Sequence, residues 1–270
     1  EKVSIIAVGD VSFARDVETH GNRHGGNMHY VFDHVRSSFH NSDVALLNLE
    51  SVLASPAAAK VRQTRGIVLS GHVNGTLALR GLSRTTIVTM AHNHLLDLGP
   101  EAVRETTKAL RANSITSIGI DDDTKAENAI TLFERKNVTF ALLAYCNLGA
   151  CRQQRNGHNI GAKMFQRDDA MKTLKALRSG VDVIVVSMHW GNEYYHTIDE
   201  QRLNQAMFLS EQGVDVIIGH HPHVLQDHMM IGRTTFVAFR CKLNPHQMNQ
   251  DRGERERGEK EARERERERE

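Results

Sequence analysis

The sequence has 270 residues, 40% of them hydrophobic, which is enough to bury one large core or two small ones. Its formal net charge of +1 comes from 34 Lys and Arg against 33 Asp and Glu, and this balance argues against a nucleic-acid or anionic-membrane partner. We also expect no membrane span in this chain, since no stretch approaches the roughly 20 apolar residues that a spanning helix needs.

Seven short apolar runs have the length and β-rich composition of buried strands. In chain order these runs are residues 3–8, 44–47, 86–90, 138–145, 181–187, 214–218 and 234–239. Helical patterns lie between several of them, at residues 100–113, 166–179 and 199–212. The mostly alternating order predicts an α/β fold in which helices cover the sheet.

The chain ends in a different composition. Its last 20 residues alternate Arg and Glu with almost no apolar side chain, so they have nothing to bury. We therefore expect one domain over residues 1–240 and a low-complexity tail over residues 241–270, either disordered or a solvated helix. A tail that binds a partner is the alternative. Because the chain begins at Glu1 rather than Met, an upstream signal peptide or anchor is left open, and so is the localisation.

The three cysteines, Cys146, Cys151 and Cys241, are too few and too irregularly spaced for a disulfide framework or a metal knuckle. Buried thiols are the favoured interpretation, with a bridge between Cys146 and Cys151 as the alternative. Histidine is the unusual residue: there are 16, many of them in tight groups. Neutral imidazole is a versatile metal ligand and proton carrier, so this enrichment is the first indication of function.

Ligands of open α/β sheets bind beyond the carboxyl ends of the strands, so the residues directly after each apolar run are diagnostic. Five runs end in side chains of the metal-ligand type. These are Asp10, Glu50, the pair Asn93 and His94, His189, and the pair His221 and His223. Singly, each has another explanation: a turn aspartate, a surface glutamate, a helix cap or a core histidine. Together they predict a metal site for two ions of Zn, Mn or Fe that share a carboxylate.

Five blocks resemble, in order and spacing, those of the bacterial capsule synthesis protein family, the CapA or PgsA group linked to poly-γ-glutamate. The blocks are "GDVSFAR", "NLES", "AHNHLLDLG", "MHWGNEY" and "GHHPHVLQ", and the match covers residues 3–235. This family is similar to the calcineurin-like metallophosphoesterases. The resemblance implies a calcineurin-like α/β sandwich, mixed sheets flanked by helices, with the metal site at the strand ends.

The resemblance also assigns roles to individual residues. The implied metal ligands are Asp10, Glu50, Asn93, His94, His189, His221 and His223. Arg15 matches the family's basic residue after the Gly-Asp pair of the first block, and Glu193 corresponds either to a residue that contacts a metal ligand or to an acid/base residue. Asp97 is placed to orient the imidazole of His94 through its free nitrogen.

The chain departs from the family pattern at three places. His92 stands where a first Asn is usual, and is either a spare ligand or a tolerated change. His220 replaces a small residue and is left out of the ligand set. After Phe236 the chain lacks the usual terminal block and continues into the Arg/Glu tail.

Two functions follow as expectations. The first is a metal-dependent, phosphoesterase-like hydrolase acting on a phosphoester or polyglutamate-type substrate, with His94, Glu193 and Arg15 as catalytic residues. The alternative is a non-catalytic accessory component of a poly-γ-glutamate synthesis or export complex, with a structural or vestigial metal site. The oligomeric state is not predicted.

Overall fold

The structure, a computed structural model, describes residues 2–55, 67–123, 130–155, 157–226 and 228–238. The strands are β1 Ile5–Val11, β2 Val44–Leu49, β3 Val52–Ala54, β4 Ser70–His72, β5 Thr85–Thr89, β6 Thr116–Ile118, β7 Ile120–Asp122, β8 Ile130–Arg135, β9 Val138–Cys146, β10 Ile160–Ala162, β11 Val183–His189, β12 Val216–His220, β13 Met229–Ile231 and β14 Thr234–Ala238. The α-helices are α1 Asp16–Arg23, α2 Arg36–His40, α3 Gly75–Leu79, α4 Pro100–Ala112, α5 Gly149–Arg155, α6 Arg167–Arg178 and α7 Glu200–Glu211, with a 3-10 turn at His29–Phe32.

Two large sheets organise these elements. The first contains four parallel strands in the order β1-β2-β5-β6. The second has the order β13-β14-β12-β11-β9-β8, in which the four inner strands are parallel and the two outer strands are antiparallel to their neighbours. The parallel inner strands of both sheets carry the apolar runs, as burial on two faces requires.

The core has two layers, and strand β9 shows how they are divided. Leu142, Ala144 and Cys146 belong to the cluster that β9 shares with the first sheet, whereas Leu143 and Tyr145 belong to the cluster beneath α6 and α7. Alternate residues of a strand point to opposite faces, so a continuous apolar run fills both layers. Mixed sheets packed together and flanked by helices confirm the predicted α/β sandwich.

All seven predicted strands and all three predicted helices are present, with ends shifted by a few residues. One shift matters for the site. The first strand was predicted over residues 3–8, but β1 continues through Asp10 to Val11, and its register with β2 changes between Ala7 and Asp10. Asp10 therefore lies within a strand and not after one. His189 and His220 are likewise the last residues of their strands.

The preference for buried free thiols at Cys146 and Cys151 was wrong, because these residues form a disulfide. It joins the end of β9 to α5, and both cysteines are fully buried. Cys241 and the predicted tail lie outside the described residues, so the domain boundary at residue 240 stays a prediction. Within the described ranges, no helix combines the length and apolar character needed to cross a membrane.

Candidate metal centre

The candidate centre lies at the carboxyl ends of the central strands of both large sheets. Asp10 on β1 is aligned with Asn48 on β2, and His189 on β11 is aligned with His220 on β12. Glu50 follows β2 by one residue. Parallel strands end at the same edge, so chain segments more than 100 residues apart bring their polar side chains together there.

Asn48 connects the two sheets at this edge. Its Nδ2 donates a hydrogen bond of 2.7 Å to Asp10 Oδ1 and lies 3.3 Å from His189 Nδ1. Its Oδ1 accepts a hydrogen bond of 2.9 Å from Thr89 Oγ1. The sequence analysis missed Asn48, although an asparagine inside the fully buried strand β2 is a signal, because a buried amide needs partners.

The two carboxylate oxygens of Glu50 face different histidines. Oε1 lies 3.5 Å from His189 Nε2, and Oε2 lies 4.0 Å from His223 Nε2. One ligand atom each from Glu50, His221 and His223 fall within 4.8 Å of one another, a spacing suited to a metal ion. Asn93 lies beside His189, with 2.8 Å between Asn93 Oδ1 and His189 Nε2.

Asp10 is the second carboxylate of the group and is 3% exposed. Its Oδ2 accepts a hydrogen bond of 3.1 Å from the backbone N–H of His221 and lies 3.4 Å from His223 Nδ1. Its Oδ1 lies 3.6 Å from Nδ1 of His220, the histidine that was left out of the predicted ligand set. The structure therefore places His220 beside the predicted ligands.

The predicted pairing of His94 with Asp97 is present. His94 Nδ1 donates to Asp97 Oδ2 at 2.8 Å, which leaves His94 Nε2 for a substrate or a metal. Two further groups hold the carboxylate: the backbone N–H of Leu69 donates to Oδ2 at 2.7 Å, and Gln154 Nε2 donates to Oδ1 at 3.2 Å. Gln154 lies on α5, the helix that the disulfide attaches to β9.

The side chain of His92 is completely buried and accepts a hydrogen bond of 3.1 Å at Nδ1 from the backbone N–H of His94. This contact stabilises the chain segment that presents Asn93 and His94. His92 Nε2, however, is buried without a hydrogen-bond partner among the described residues, so both interpretations of His92, a spare ligand and a tolerated change, stay open.

Several residues around the centre have left-handed backbone conformations that are uncommon for non-glycine residues. The positive φ angles are 57° at Arg15, 65° at Tyr194, 93° at His221 and 56° at His223. Such conformations cost about 1–3 kcal/mol each and persist where other contacts hold them, often at functional sites. Two hydrogen bonds hold such conformations here. His221 N donates to Asp10 Oδ2, and Tyr194 N donates to Pro222 O at 2.7 Å.

Burial keeps the histidines of the centre neutral. It lowers the pKa of His221 to about 4, with help from the neighbouring His223, and the pKa of His92 to about 3, with help from His94. The pKa of His189 lies well below its usual value, and that of His220 is also lowered, in both cases mainly through burial. Neutral imidazoles retain the lone pair that a metal requires.

Asp10 remains ionised among these imidazoles. Burial alone raises the pKa of its carboxyl group, but the contact with His223 and the nearby His220 and His189 outweigh this effect. The pKa of Asp10 consequently lies well below its usual value. An ionised carboxylate surrounded by neutral imidazoles is the donor set that mixed nitrogen and oxygen metal sites use.

Several ring nitrogens in the centre are buried without a hydrogen-bond partner among the described residues. They are Nε2 of His92, both nitrogens of His220, Nδ1 of His221 and Nδ1 of His223. Unpartnered buried nitrogens are costly, and a cluster of them beside two carboxylates fits a bound cation. The residues present therefore suit a divalent metal.

The remaining predicted catalytic residues lie at the rim. Glu193 Oε1 is 4.0 Å from His223 Nε2, and its side chain is 43% exposed. Arg15 is exposed at the start of α1, and its guanidinium makes no hydrogen bond or ion pair with a described residue. The structure thus brings Glu193 to the centre but shows no contact that would hold the Arg15 side chain there.

A cavity of about 130 Å³ is built from the chain segments that follow the ligand histidines. Trp190 follows His189 directly, and Gln226 follows His223 by three residues. Arg202, from the first turn of α7, also lines the cavity and forms a 3.2 Å ion pair with Asp199, a second lining residue. The cavity is thus suited to a polar group of a bound molecule.

Residues 4–241 match the model of a family described as bacterial capsule synthesis protein PGA_cap. The chain is 28% identical over 231 residues to the capsule biosynthesis protein CapA of Bacillus anthracis, which covers 84% of this chain and 56% of that protein. It is also 28% identical over 193 residues to a probable polyglutamine synthesis accessory protein of Mycobacterium tuberculosis, covering 67% of this chain and 50% of the relative. The chain spans about half the length of these curated relatives.

Among solved structures, the fold is similar to that of the calcineurin-like phosphoesterase YfkN from Bacillus subtilis. The TM-score is 0.56 at 14% sequence identity, over 87% of this chain and 80% of that chain. The predicted calcineurin-like fold is confirmed by this similarity, which concerns the fold alone.

Proposed function

The chain belongs to the bacterial capsule synthesis protein family, and on that basis we propose that it is a metal-dependent, phosphoesterase-like hydrolase whose centre holds two divalent ions. The observation that carries this proposal is the position of Glu50. Its two oxygens face opposite groups of nitrogen ligands, one at His189 and one at His223. A carboxylate that faces both groups can be shared between two cations and offset their repulsion.

The ligands divide into two sets around Glu50. Asp10 and His223 would hold one ion, given the 3.4 Å between Asp10 Oδ2 and His223 Nδ1. Asn93, His189 and His221 would hold the other, given the 2.8 Å between Asn93 Oδ1 and His189 Nε2 and the 4.9 Å between the ring centroids of His189 and His221. Mn, Zn and Fe all accept such mixed ligands. Bound there, two such ions would supply a water nucleophile by lowering its pKa toward neutrality.

Side chains of the protein would supply the proton that the leaving group needs. Asp97 holds Nδ1–H of His94, and it stabilises the positive charge that the ring carries when Nε2 is also protonated. His94 would then donate the Nε2 proton to the leaving oxygen as the bond breaks. Glu193, exposed and 4.0 Å from His223, is the second candidate for this role. Arg15 remains a predicted oxyanion-stabilising residue.

The test measures metal content and hydrolysis on the same samples. Wild-type protein and a His221→Ala, His223→Ala double variant are loaded with Mn²⁺ or Zn²⁺, and the ions per chain are counted by plasma mass spectrometry. Hydrolysis of an aryl phosphodiester is then followed with added Mn²⁺. We expect about two ions in the centre of the wild-type protein, and loss of both metal and turnover in the variant.

His158→Ala is the matched control, because His158 is exposed and lies outside the centre. It should bind metal and turn over substrate as the wild-type protein does. Unchanged turnover in the His221, His223 double variant would rule out the proposed hydrolase, since the main nitrogen ligands would then be dispensable.

A second function, a non-catalytic accessory role in polymer synthesis, is favoured by the name of one relative, a probable polyglutamine synthesis accessory protein. In this case the metal would stabilise the fold and would not react. Metal loading would then raise the midpoint of thermal unfolding, while hydrolysis of phosphodiesters and of polyglutamate stayed at background. Turnover that depends on His94 and Asp97 would exclude a purely structural site.

A further inference from the structure

A second group of histidines lies away from the candidate centre, at the end of α1. His20 and His24 are four residues apart, so they lie on the same side of the helix one turn apart. Both side chains are exposed. Histidines at this spacing on a helix are a recurrent pair of metal ligands, because one helical turn brings both imidazoles to a single ion.

The distance between the rings fits two imidazoles that bind one cation. Their centroids are 4.6 Å apart, and the ring planes are inclined by 45°. With a metal–nitrogen bond of about 2.1 Å and about 1.1 Å from nitrogen to ring centre, two imidazoles at about 90° around an ion have centroids about 4.5 Å apart. The inclination is not that of parallel stacked rings. The observed separation therefore matches the one that chelation requires.

The ring nitrogens of this pair are available. None of the four forms a hydrogen bond or an ion pair with a described residue. Tyr30 supports the pair from the other side: its ring centroid is 4.6 Å from that of His20, and its hydroxyl donates a 2.8 Å hydrogen bond to the carbonyl of Val17. His20 is thus partly held in place before an ion arrives, which lowers the entropic cost of binding.

The position on the helix favours a cation as well. His20 lies in the last turn of α1, and His24 is its C-terminal capping residue. The carbonyl groups at a helix C-terminus carry partial negative charge, which attracts positive ions within the last turn.

We propose that His20 and His24 form a second transition-metal site, separate from the candidate centre, for a borderline divalent cation such as Ni²⁺, Cu²⁺ or Zn²⁺. Water completes its coordination. The site is exposed and two-coordinate in protein ligands, so it exchanges its ion more readily than the buried centre does. It also changes how metal content is interpreted, because the chain then binds one ion more than the centre holds.

The test is equilibrium dialysis of the untagged 270-residue chain against Ni²⁺ alone. Five proteins are compared: wild type, His20→Ala, His24→Ala, the double variant of both, and His40→Ala. His40 is an exposed histidine on α2 and serves as the matched control. All substitutions are at exposed positions, and circular dichroism checks that each protein is folded.

His20→Ala and His24→Ala should each weaken the affinity for the same Ni²⁺ ion at least tenfold. The double variant should show no further loss of affinity. His40→Ala should bind as the wild type does. Such non-additivity is the sign of a chelate, since one remaining imidazole binds weakly. Retention of this ion in the double variant, or an equal loss in His40→Ala, would overturn the proposal.

The comparison is repeated in the His221→Ala, His223→Ala background, which separates this site from the proposed centre. If the centre holds no metal, the wild-type protein and the His221→Ala, His223→Ala variant bind the same number of ions. Adding His20→Ala or His24→Ala to either protein then still removes the ion bound by His20 and His24. If only the centre binds metal, the His20 and His24 variants match the wild type.

Discussion

Asn48 Nδ2 donates a 2.7 Å hydrogen bond to Oδ1 of Asp10, its aligned neighbour on β1. The same amide group contacts His189 on the second sheet and Thr89 on the first. One buried amide thus sets the orientation of a carboxylate on one sheet and an imidazole on the other. The centre depends on a residue that is not among its predicted ligands.

Asn48→Ala should destabilise the metal-free protein by about 1–3 kcal/mol, because Asp10 and Thr89 each lose a buried partner. Urea denaturation measures the change in the free energy of unfolding. Asn41→Ala is the control, since Asn41 is exposed at the end of α2. A loss no larger than that of the control would show that the Asn48 contacts contribute nothing to stability.

Asp97→Asn should lower turnover by about 10–100-fold, the range found when a group that orients an active-site histidine is changed. The variant keeps the size of the side chain but weakens the acceptor for His94 Nδ1. Gln154→Ala should give a smaller loss, because Leu69 N still holds Asp97 Oδ2. Hydrolysis of the aryl phosphodiester measures turnover.

The control for this pair is Asp33→Asn, at an exposed aspartate outside the centre. The expected order of turnover is wild type and Asp33→Asn, then Gln154→Ala, then Asp97→Asn. Equal turnover in all four proteins would show that the orientation of His94 does not influence the reaction.

The stability of the metal-free protein should fall as the pH drops below about 6.5. The unfolded chain takes up a proton at His92 near its ordinary pKa of 6.5, whereas burial lowers the pKa of folded His92 to about 3. The contribution is thus fully present above pH 6.5 and is lost between pH 6.5 and 3, at roughly 1 kcal/mol per pH unit. His221 acts in the same direction between pH 6.5 and 4.

His92→Asn isolates this effect, since asparagine does not titrate and its side-chain oxygen can still accept from His94 N. The free energy of unfolding of this variant should depend less on pH over the same interval than that of the wild type. His158→Asn, at an exposed position, should leave the dependence unchanged. Identical slopes in all three proteins would mean that His92 is not buried in its neutral form.

The disulfide between Cys146 and Cys151 should stabilise the protein by about 2 kcal/mol, the value expected for closing so short a loop. A Cys146→Ala, Cys151→Ala double variant, compared with wild type in urea, measures this. Thiol titration in denaturant is the first check: the chain has three cysteines, so a single reactive thiol is expected before reduction and three after it. Three thiols before reduction would contradict the disulfide.

Much of the architecture could be predicted because its causes are local. A run such as residues 181–187 is apolar at every position but two, and its short length and β-branched residues are typical of a buried strand. The side chains that follow these runs, among them Glu50, Asn93 and His223, could likewise be read along the chain. Their chemical types were sufficient to predict a metal site, and their blocks were sufficient to indicate the family.

The sequence by itself therefore determined the strands, the kinds of ligand and the edge of the sheet at which they gather. Only the tertiary structure decided that Asn48 links Asp10 to His189, that Gln154 holds Asp97, and that Cys146 pairs with Cys151. The physical reason is that hydrophobic periodicity acts over a few residues and sets the local conformation. Contacts between distant segments depend on how two sheets pack, and no local pattern specifies that packing.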